Sequence, residues 1–310
     1  LCRHFSGTCS FITTDFHNGK SPQDSMPRLH PILRGFLHTH STFSDGTFTP
    51  LQLVKYAEEK GLKAFAITDH DTTEGIKEAK SIETNVEVIS GVEISTRYDK
   101  KEIHIVGLYV NENDADLNKQ LKYYREKRVT RNFEILEKLN SLGVDITIDD
   151  VKESCTGDVI SRAHIAKALV SKGFVGSYTE AFDRYLGDNK CAYVPRETLN
   201  YEESMELITK AGGVPVLAHP LLYKMSDTNL ENMMVKLRQK GLKAVEVYYS
   251  THSNSDTQHV MAMANRVGLI YSGGSDFHGA TKPKIDIGTG MGKLAVPYEI
   301  LEKIRGERNG

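Results

Sequence analysis

The sequence predicts an α/β fold: an irregular barrel of about seven strands, interrupted by a helical subdomain. Three observations predict it. From residue 34 onward, short apolar, β-branched runs alternate with stretches of helical spacing, the pattern of parallel strands covered by helices. Two consecutive runs, 86–94 and 103–110, have too short a link for a crossover helix, so the barrel cannot be regular. Between about 112 and 200 the strand runs stop and only helical patterns remain.

Residues 1–33 read as an irregular tail, rich in Ser, Thr, Pro and Gly. They lack an apolar h-region, so a leader or upstream extension is expected, not a secretory signal. The first barrel part, 34–111, opens with a strand over Gly35–His40. Thr49 as N-cap and Pro50 at the first helical position start a helix over Pro50–Lys60, which Gly61 stops. Lys63–Thr68 is the second strand and Thr73–Ile82 the second helix; strands Val86–Ile94 and Ile103–Val110 follow. The helical insertion, 112–200, begins with Asn118–Leu142, where Leu121, Tyr124, Phe133, Leu136 and Leu139 recur at helical spacing. Ile148–Glu153, Ser161–Lys172 and Thr179–Leu186 are shorter helices. The second barrel part, 201–310, holds helix Glu202–Ala211 and strands Val214–Ala218, Ala244–Tyr249 and Leu269–Ser272.

Composition excludes several classes. The 310 residues are 39% apolar and 26% charged, an ordinary globular balance. A net charge of −2 argues against a basic track for duplex DNA, yet leaves room for a short nucleotide whose phosphates meet bound cations. No apolar run approaches the ~20 residues that span a bilayer. Cys2, Cys9, Cys155 and Cys191 form no C-x-x-C and match no zinc spacing, so they read as reduced thiols of a cytoplasmic protein. Neither a G-x-S-x-G elbow nor a P-loop is present.

The His, Asp and Glu residues cluster at strand ends. His38 and His40 close the first strand at i, i+2, so both rings face one side. Asp45 follows in the next loop. Asp69, His70 and Asp71 end the second strand, Glu93 the third, His219 the fifth, and Asp276 and His278 the seventh. His104 alone sits early in its strand. In parallel barrels that rim carries the active site. So many ionisable groups on one rim need compensation, and bound cations provide it; mixed His and carboxylate ligands suit Zn, Mn or Fe. Asp71, beside a helix start, fits a cap or turn role better than a ligand role. His252 and His259, after the sixth strand, read as surface or supporting residues.

The segments HTHSTFSDG, TDHD, GVE, AHP and SDFH, in this order from His38 to His278, resemble the successive motifs of the PHP (polymerase and histidinol phosphatase) family. The resemblance implies a PHP-type barrel of seven strands around a trinuclear centre. It implies that His38, His40, Glu93 and Asp276 hold one divalent cation. Glu93 would bridge to a second, completed by His104 and His219, and Asp45, His70 and His278 would hold a third. The cations expected are Mn, with Fe or Zn as alternatives. The segments SRAHIAKALV and FDRYLGDNKCAYVPR are similar to the 3′,5′-nucleoside bisphosphate phosphatases and 5′→3′ exoribonucleases of that family, which makes Arg162 and His164 candidate phosphate contacts. The implied activity is hydrolysis of a phosphate ester of a small nucleotide by a metal-activated hydroxide. Its alternatives are exonucleolytic trimming of short 5′-phosphorylated RNA, a histidinol-phosphate-type phosphatase, and a non-catalytic metal-binding module.

Overall fold

The computed structural model describes residues 35–153 and 160–309; the tail, with Cys2 and Cys9, and Cys155 lie outside the described residues. Eight strands occur: β1 (Gly35–Phe36), β2 (Ala64–Ile67), β3 (Glu87–Tyr98), β4 (Lys101–Leu108), β5 (Leu199–Asn200), β6 (Val214–Leu217), β7 (Ala244–Tyr249) and β8 (Ile270–Gly274). Seven run round a nearly closed barrel in the order β1-β2-β3-β4-β6-β7-β8, and β5 pairs with β3 outside that path. Pairing is parallel except at β4, which is antiparallel to both β3 and β6. The cause is the two-residue turn Asp99-Lys100, with Asp99 at φ 51, which folds β4 straight back along β3. That hairpin also explains why β3 runs to Tyr98 rather than ending at Ile94: β4 supplies partners as far as the Tyr98–Lys101 pair.

The ring closes where the chain after β1 meets β8. Leu37 N–H donates to the Gly273 carbonyl at 3.1 Å and Asp276 N–H to that of His38 at 3.0 Å. Glycine is needed there: a Cβ on Gly274 would lie 2.4 Å from the His38 Cβ. The expected strand Gly35–His40 is laddered only over Gly35–Phe36, with one further bridge from Thr39 to Phe277.

The helices are α1 (Pro50–Glu59), α2 (Glu74–Ala79), α3 (Ala115–Ser141), α4 (Ile148–Glu153), α5 (Arg162–Ser171), α6 (Tyr178–Ala181), α7 (Tyr201–Lys210), α8 (Asp227–Gln239), α9 (Asn254–Val267) and α10 (Tyr298–Gly306). Thr49 and Gln52 form the capping box that starts α1. α2 is shorter than expected, and its N-cap Thr73 does not cap with its side chain; the hydroxyl donates instead to Asn118 Oδ1 at 2.7 Å. α3 starts one turn before Asn118 because Asp114 accepts from Leu117 N–H at 2.8 Å. After α6 the chain continues as a π-helical turn, Phe182–Leu186.

Two apolar clusters fill the barrel and its helical cover, one around Phe36, Phe65 and Leu53, the other around Ile105, Leu217 and Met234. A third, around Ile135, Ile165 and Leu186, lies wholly within the helical segment. α3 joins them: its Leu117 and Leu121 pack in the barrel-side cluster, its Ile135 and Leu139 in the third. Phe133, expected on the buried stripe of α3, is 46% exposed. Arg128, Arg131 and Asn132 occupy that stripe instead, ahead of Ile135. Among the described residues no helix is long and apolar enough to cross a membrane.

Candidate metal centre

The reversal of β4 places His104 at the same barrel mouth as the residues that follow β2, β6 and β8. His104 sits early in its strand because that strand runs backwards, and it pairs with Ser95, two residues past Glu93. His70 is bridged to Glu93, which lies in mid-β3 rather than at a strand end. His219 (φ 29) and Asp276 (φ 54) turn their side chains in from left-handed backbone just beyond β6 and β8. Such conformations cost about 1–3 kcal/mol each and persist where surrounding structure imposes them. The Ser41–Asp45 loop is held by Asp69, whose carboxylate accepts from Ser41 N–H at 2.7 Å and from the Ser41 and Ser44 hydroxyls at 2.6 Å.

All nine expected ligands meet in one chamber. Glu93, 1% exposed, is its centre. Its Oε2 is faced by His38 Nε2 and His40 Nε2 at 3.3 Å and His70 Nδ1 at 3.0 Å. Its Oε1 is faced by His104 Nδ1 at 2.8 Å and His219 Nε2 at 3.0 Å. The two oxygens thus address separate sets of rings, as a bridging carboxylate must. Asp276 Oδ1 lies 3.3 Å from His40 Nε2 and from His278 Nδ1. Its Oδ2 accepts from the Tyr249 hydroxyl and from Lys282, each at 2.7 Å. Asp45 Oδ1 lies 3.2 Å from His278 Nε2, and its Oδ2 3.7 Å from His70 Nε2.

The electrostatics follow from that crowding. Burial raises the Glu93 carboxyl, but the imidazoles of His70, His38 and His104 hold it well below the usual carboxylate range. Burial likewise raises Asp276, and Lys282, His278 and His38 outweigh it. Burial pulls His104 down, yet Glu93 and Glu102 bring it up to about 10. Opposite charges are therefore packed together, but not well bonded. His38 Nε2, His40 Nε2, Asp45 Oδ1 and His70 Nδ1 are buried without a hydrogen-bond partner. Each such orphan costs about 1–3 kcal/mol. Lone pairs converging at 3.0–3.7 Å without hydrogen-bond alignment are what cations seated between them would satisfy. Three donor sets are close enough to hold an ion: His40, Asp45, His70 and His278; His38, His40 and Glu93; and His70, Glu93 and His104. His40 and His70 each belong to two sets, whereas the resemblance gave each to one; His219 and Asp276 belong to none of the three, though each faces a member of them.

Sequence reasoning missed several residues. Glu246, 1% exposed, accepts from His38 Nδ1 at 2.9 Å and from the His219 backbone N–H at 2.6 Å. It fixes the His38 tautomer so that Nε2 faces the chamber, and it pins the strained His219 turn. Its signal was a lone acid inside the apolar run AVEVYY. Asp71 is not a helix cap: it is 2% exposed, with φ 52. Its Oδ1 accepts from Ser95 N–H at 3.1 Å, and its Oδ2 from Arg128 at 2.6 Å and Arg196 at 2.8 Å. Arg196 also reaches Glu102 at 3.2 Å, and Glu102 lies 3.6 Å from His104 Nε2. Arg131, 7% exposed, stands beside them. Burial and the repulsion of Arg162 and Arg196 push its guanidinium down to about 10. KRVTRN reads as a solvated helix face, which is why Arg128 and Arg131 escaped notice.

Of the two expected phosphate contacts, Arg162 opens α5 and bonds the Leu186 carbonyl at 3.2 Å and Asp188 at 3.1 Å. His164 Nδ1 accepts from Ser161 N–H at 3.1 Å, closing the first turn. Neither is among the donor sets of the chamber. His252 Nδ1 meets the Val247 carbonyl at 2.9 Å, and the partly exposed His259 pairs with Asp227 at 3.0 Å.

The PHP domain family model matches residues 37–275. A 5′-3′ exoribonuclease of Haemophilus influenzae is 37% identical over 244 residues, 78% of this chain and 89% of its own. A 3′,5′-nucleoside bisphosphate phosphatase of Chromobacterium violaceum is 33% identical over 255 residues, 81% of this chain and 90% of its own. Among solved structures, an amidohydrolase from Chromobacterium violaceum, with bound sulfate and no metal, superimposes with a TM-score of 0.75 at 30% identity, covering 88% of this chain and 96% of its own. A metal-dependent phosphoesterase structure from Bifidobacterium adolescentis gives 0.71 at 30% identity over the same shares. Fold, donor chamber and these likenesses agree: the chain belongs to the PHP domain family of metal-dependent phosphoesterases.

Proposed function

We propose that the chain hydrolyses a phosphate ester of a small nucleotide that carries a second phosphate, of the 3′,5′-nucleoside bisphosphate type. One observation carries this reading: the donor chamber and a row of buried arginines share a wall. His70 faces Glu93, and the next residue, Asp71, is gripped by Arg128 and Arg196. Arg128 Nε and Arg196 Nε are buried and unpartnered. Among the described residues no carboxylate lies within ion-pair distance of Arg131. Guanidinium forks match phosphate oxygens bidentately, so a row with spare donors suits a second phosphate held beside the reacting one.

In this reading the nine ligands hold divalent cations, three in number, with Mn preferred over Fe or Zn. When bound, the cations supply Lewis acidity at the phosphoryl oxygens and a water acidic enough to deprotonate near neutral pH. The protein does the rest. Glu246 and Asp69 keep ring tautomer and loop fixed, so the donors are in place before substrate arrives. Lys282, partly exposed beside Asp276, is placed to meet a phosphoryl oxygen or donate a proton to the departing alkoxide. Arg131 and Arg162 steady the second phosphate, and His164 keeps Arg162 at the start of α5.

A second reading, 5′→3′ trimming of short phosphorylated RNA, is favoured by the Haemophilus influenzae relative's name. A substrate panel with Mn separates the two. Adenosine 3′,5′-bisphosphate, a 5′-phosphorylated ribonucleotide pentamer and histidinol phosphate are compared by kcat/KM. The bisphosphate is expected to lead. A pentamer turned over faster transfers the proposal to the second reading, and histidinol phosphate in front removes both.

A further inference from the structure

Beside the arginine row lies a cavity of about 330 Å³ walled by Phe43, Arg125, Arg128, Val129 and Ile160. Its two sides come from segments already tied to the chamber. Phe43 lies in the loop between His40 and Asp45, its backbone N–H bonded to Ser41 Oγ at 3.1 Å. The ring rests against Gly75 of α2, where an added Cβ would sit 3.0 Å from Phe43 Cδ2. Opposite stands α3, with Arg128 fixed to Asp71, and Val129, 54% exposed, one residue on. Phe43 is thus a partly buried aromatic ring that lines the same cleft as Val129, an exposed apolar side chain.

We infer that this cleft receives the nucleobase of the substrate. Three features commit it to that occupant. Its volume is at the lower end for ligand pockets, enough for one heterocycle. Phe43, Val129 and Ile160 give the lining an aromatic ring and aliphatic surface, which suit a flat ring held by stacking. Arg128 links the slot to the anion-binding row: its Nε is buried without a partner while its Nη2 bonds Asp71 at 2.6 Å. A base in the slot and a phosphate on the arginines are then parts of one ligand. Arg125, paired with Glu74 at 2.5 Å, closes the outer edge and can donate to ring nitrogens. This inference rests on the proposed nucleotide specificity, but it is tested without turnover.

The test is calorimetric titration of the Mn-loaded protein with adenosine 5′-monophosphate and with ribose 5-phosphate, which differ only in the base. Wild type should bind the nucleotide about tenfold or more tightly than the sugar phosphate. Phe43→Ala should bring the two affinities together, Phe43→Tyr should keep them apart, and Val129→Asn, a neutral change at an exposed position, should weaken the nucleotide alone. Equal affinity of wild type for both ligands overturns the assignment. So does a Phe43→Ala loss shared equally by both. Tight nucleotide binding without hydrolysis of any nucleoside bisphosphate would leave the cleft standing and sink the proposed reaction.

Discussion

The consecutive residues His70 and Asp71 face two regions of opposite character. On the His70 side, the carboxylates Asp45, Glu93, Glu246 and Asp276 are crowded among imidazoles, and Lys282 is the one ammonium bonded to them among the described residues. On the Asp71 side, Arg128 and Arg196 grip the buried Asp71, Arg196 also reaches the exposed Glu102, Arg162 reaches Asp188 at the surface, and Arg131 stands beside them. Orphaned atoms sharpen the contrast. The first region strands ring nitrogens and a carboxylate oxygen, the second strands guanidinium Nε atoms. One region presents buried donors that suit cations and the other buried donors that suit an anion, and buried charges of either sign need such partners. A phosphate ester held by metal ions supplies both. The left-handed backbone of Asp71 at φ 52 lets neighbouring residues serve opposite poles.

Breaking the cation-seeking pole should have the largest effect. Glu93→Gln keeps the side chain's size but removes the charge that five rings face. If Glu93 bridges cations as proposed, its loss must exceed the ~10–100-fold cost of losing a supporting partner, so kcat/KM should fall by more than about 100-fold. Bound metal, measured by elemental analysis, should fall with it. Full metal content with wild-type turnover would remove Glu93 from the centre. Glu246→Ala tests the support of that pole. It removes the acceptor of His38 Nδ1–H and of the His219 N–H, so metal affinity by competitive chelation should drop about 10–100-fold. Glu246→Gln, which keeps one acceptor oxygen, should lie between. An unchanged affinity in both variants would make Glu246 a packing residue only.

How much of this contrast the sequence carried depends on the kind of signal. The cation-seeking pole was legible because its residues are chemically unusual where they stand: H-x-H and D-x-H put ionisable rings and carboxylates directly against apolar runs. Its supporting residues were less so. Glu246 was visible only as an acid inside a strand, and the identity of its two hydrogen-bond donors depends on how β7 packs against β1 and β6. The position of His104 early in its strand had no explanation until the reversal of β4 was seen, and a two-residue hairpin turn determines that reversal. The anion-seeking pole was nearly illegible. Arg128 and Arg131 sit on a helix rich in charge, and only tertiary packing turns that stripe inward while leaving Phe133 outside. Asp71 was read only in part for the same reason: local rules favour a cap or turn, the residue does lie in a turn, and long-range arginines claim its side chain.

The anion-seeking pole can be sharpened by Arg131→Met. The guanidinium is buried, pushed down by burial and by its neighbours Arg162 and Arg196, and bonded through Nε to the Val194 carbonyl at 2.8 Å. Replacing an unpaired buried charge by an apolar side chain of similar length is neutral or stabilising in many proteins. The melting temperature should therefore hold or rise. Affinity for a doubly phosphorylated ligand should nonetheless fall about tenfold, the effect of removing one charge-assisted hydrogen bond. A variant both less stable and unimpaired in binding would make Arg131 structural and weaken the case for an anion row.

The smallest effect is expected at the surface end of that row. Asp188 is 70% exposed and lies 3.1 Å from Arg162, so the pair is solvated and contributes at most ~1 kcal/mol to stability. Asp188→Asn should leave the melting temperature within experimental error. Its effect on binding has a definite sign. A carboxylate beside Arg162 competes with an incoming phosphate, so its removal should lower KM for the bisphosphate by up to about fivefold, the most that ~1 kcal/mol allows, while kcat stays level. The gain should shrink as salt rises, because the attraction being unmasked is solvent-exposed. If KM rises instead, Asp188 is holding Arg162 in a productive position, and the outer end of the row is organised by that ion pair.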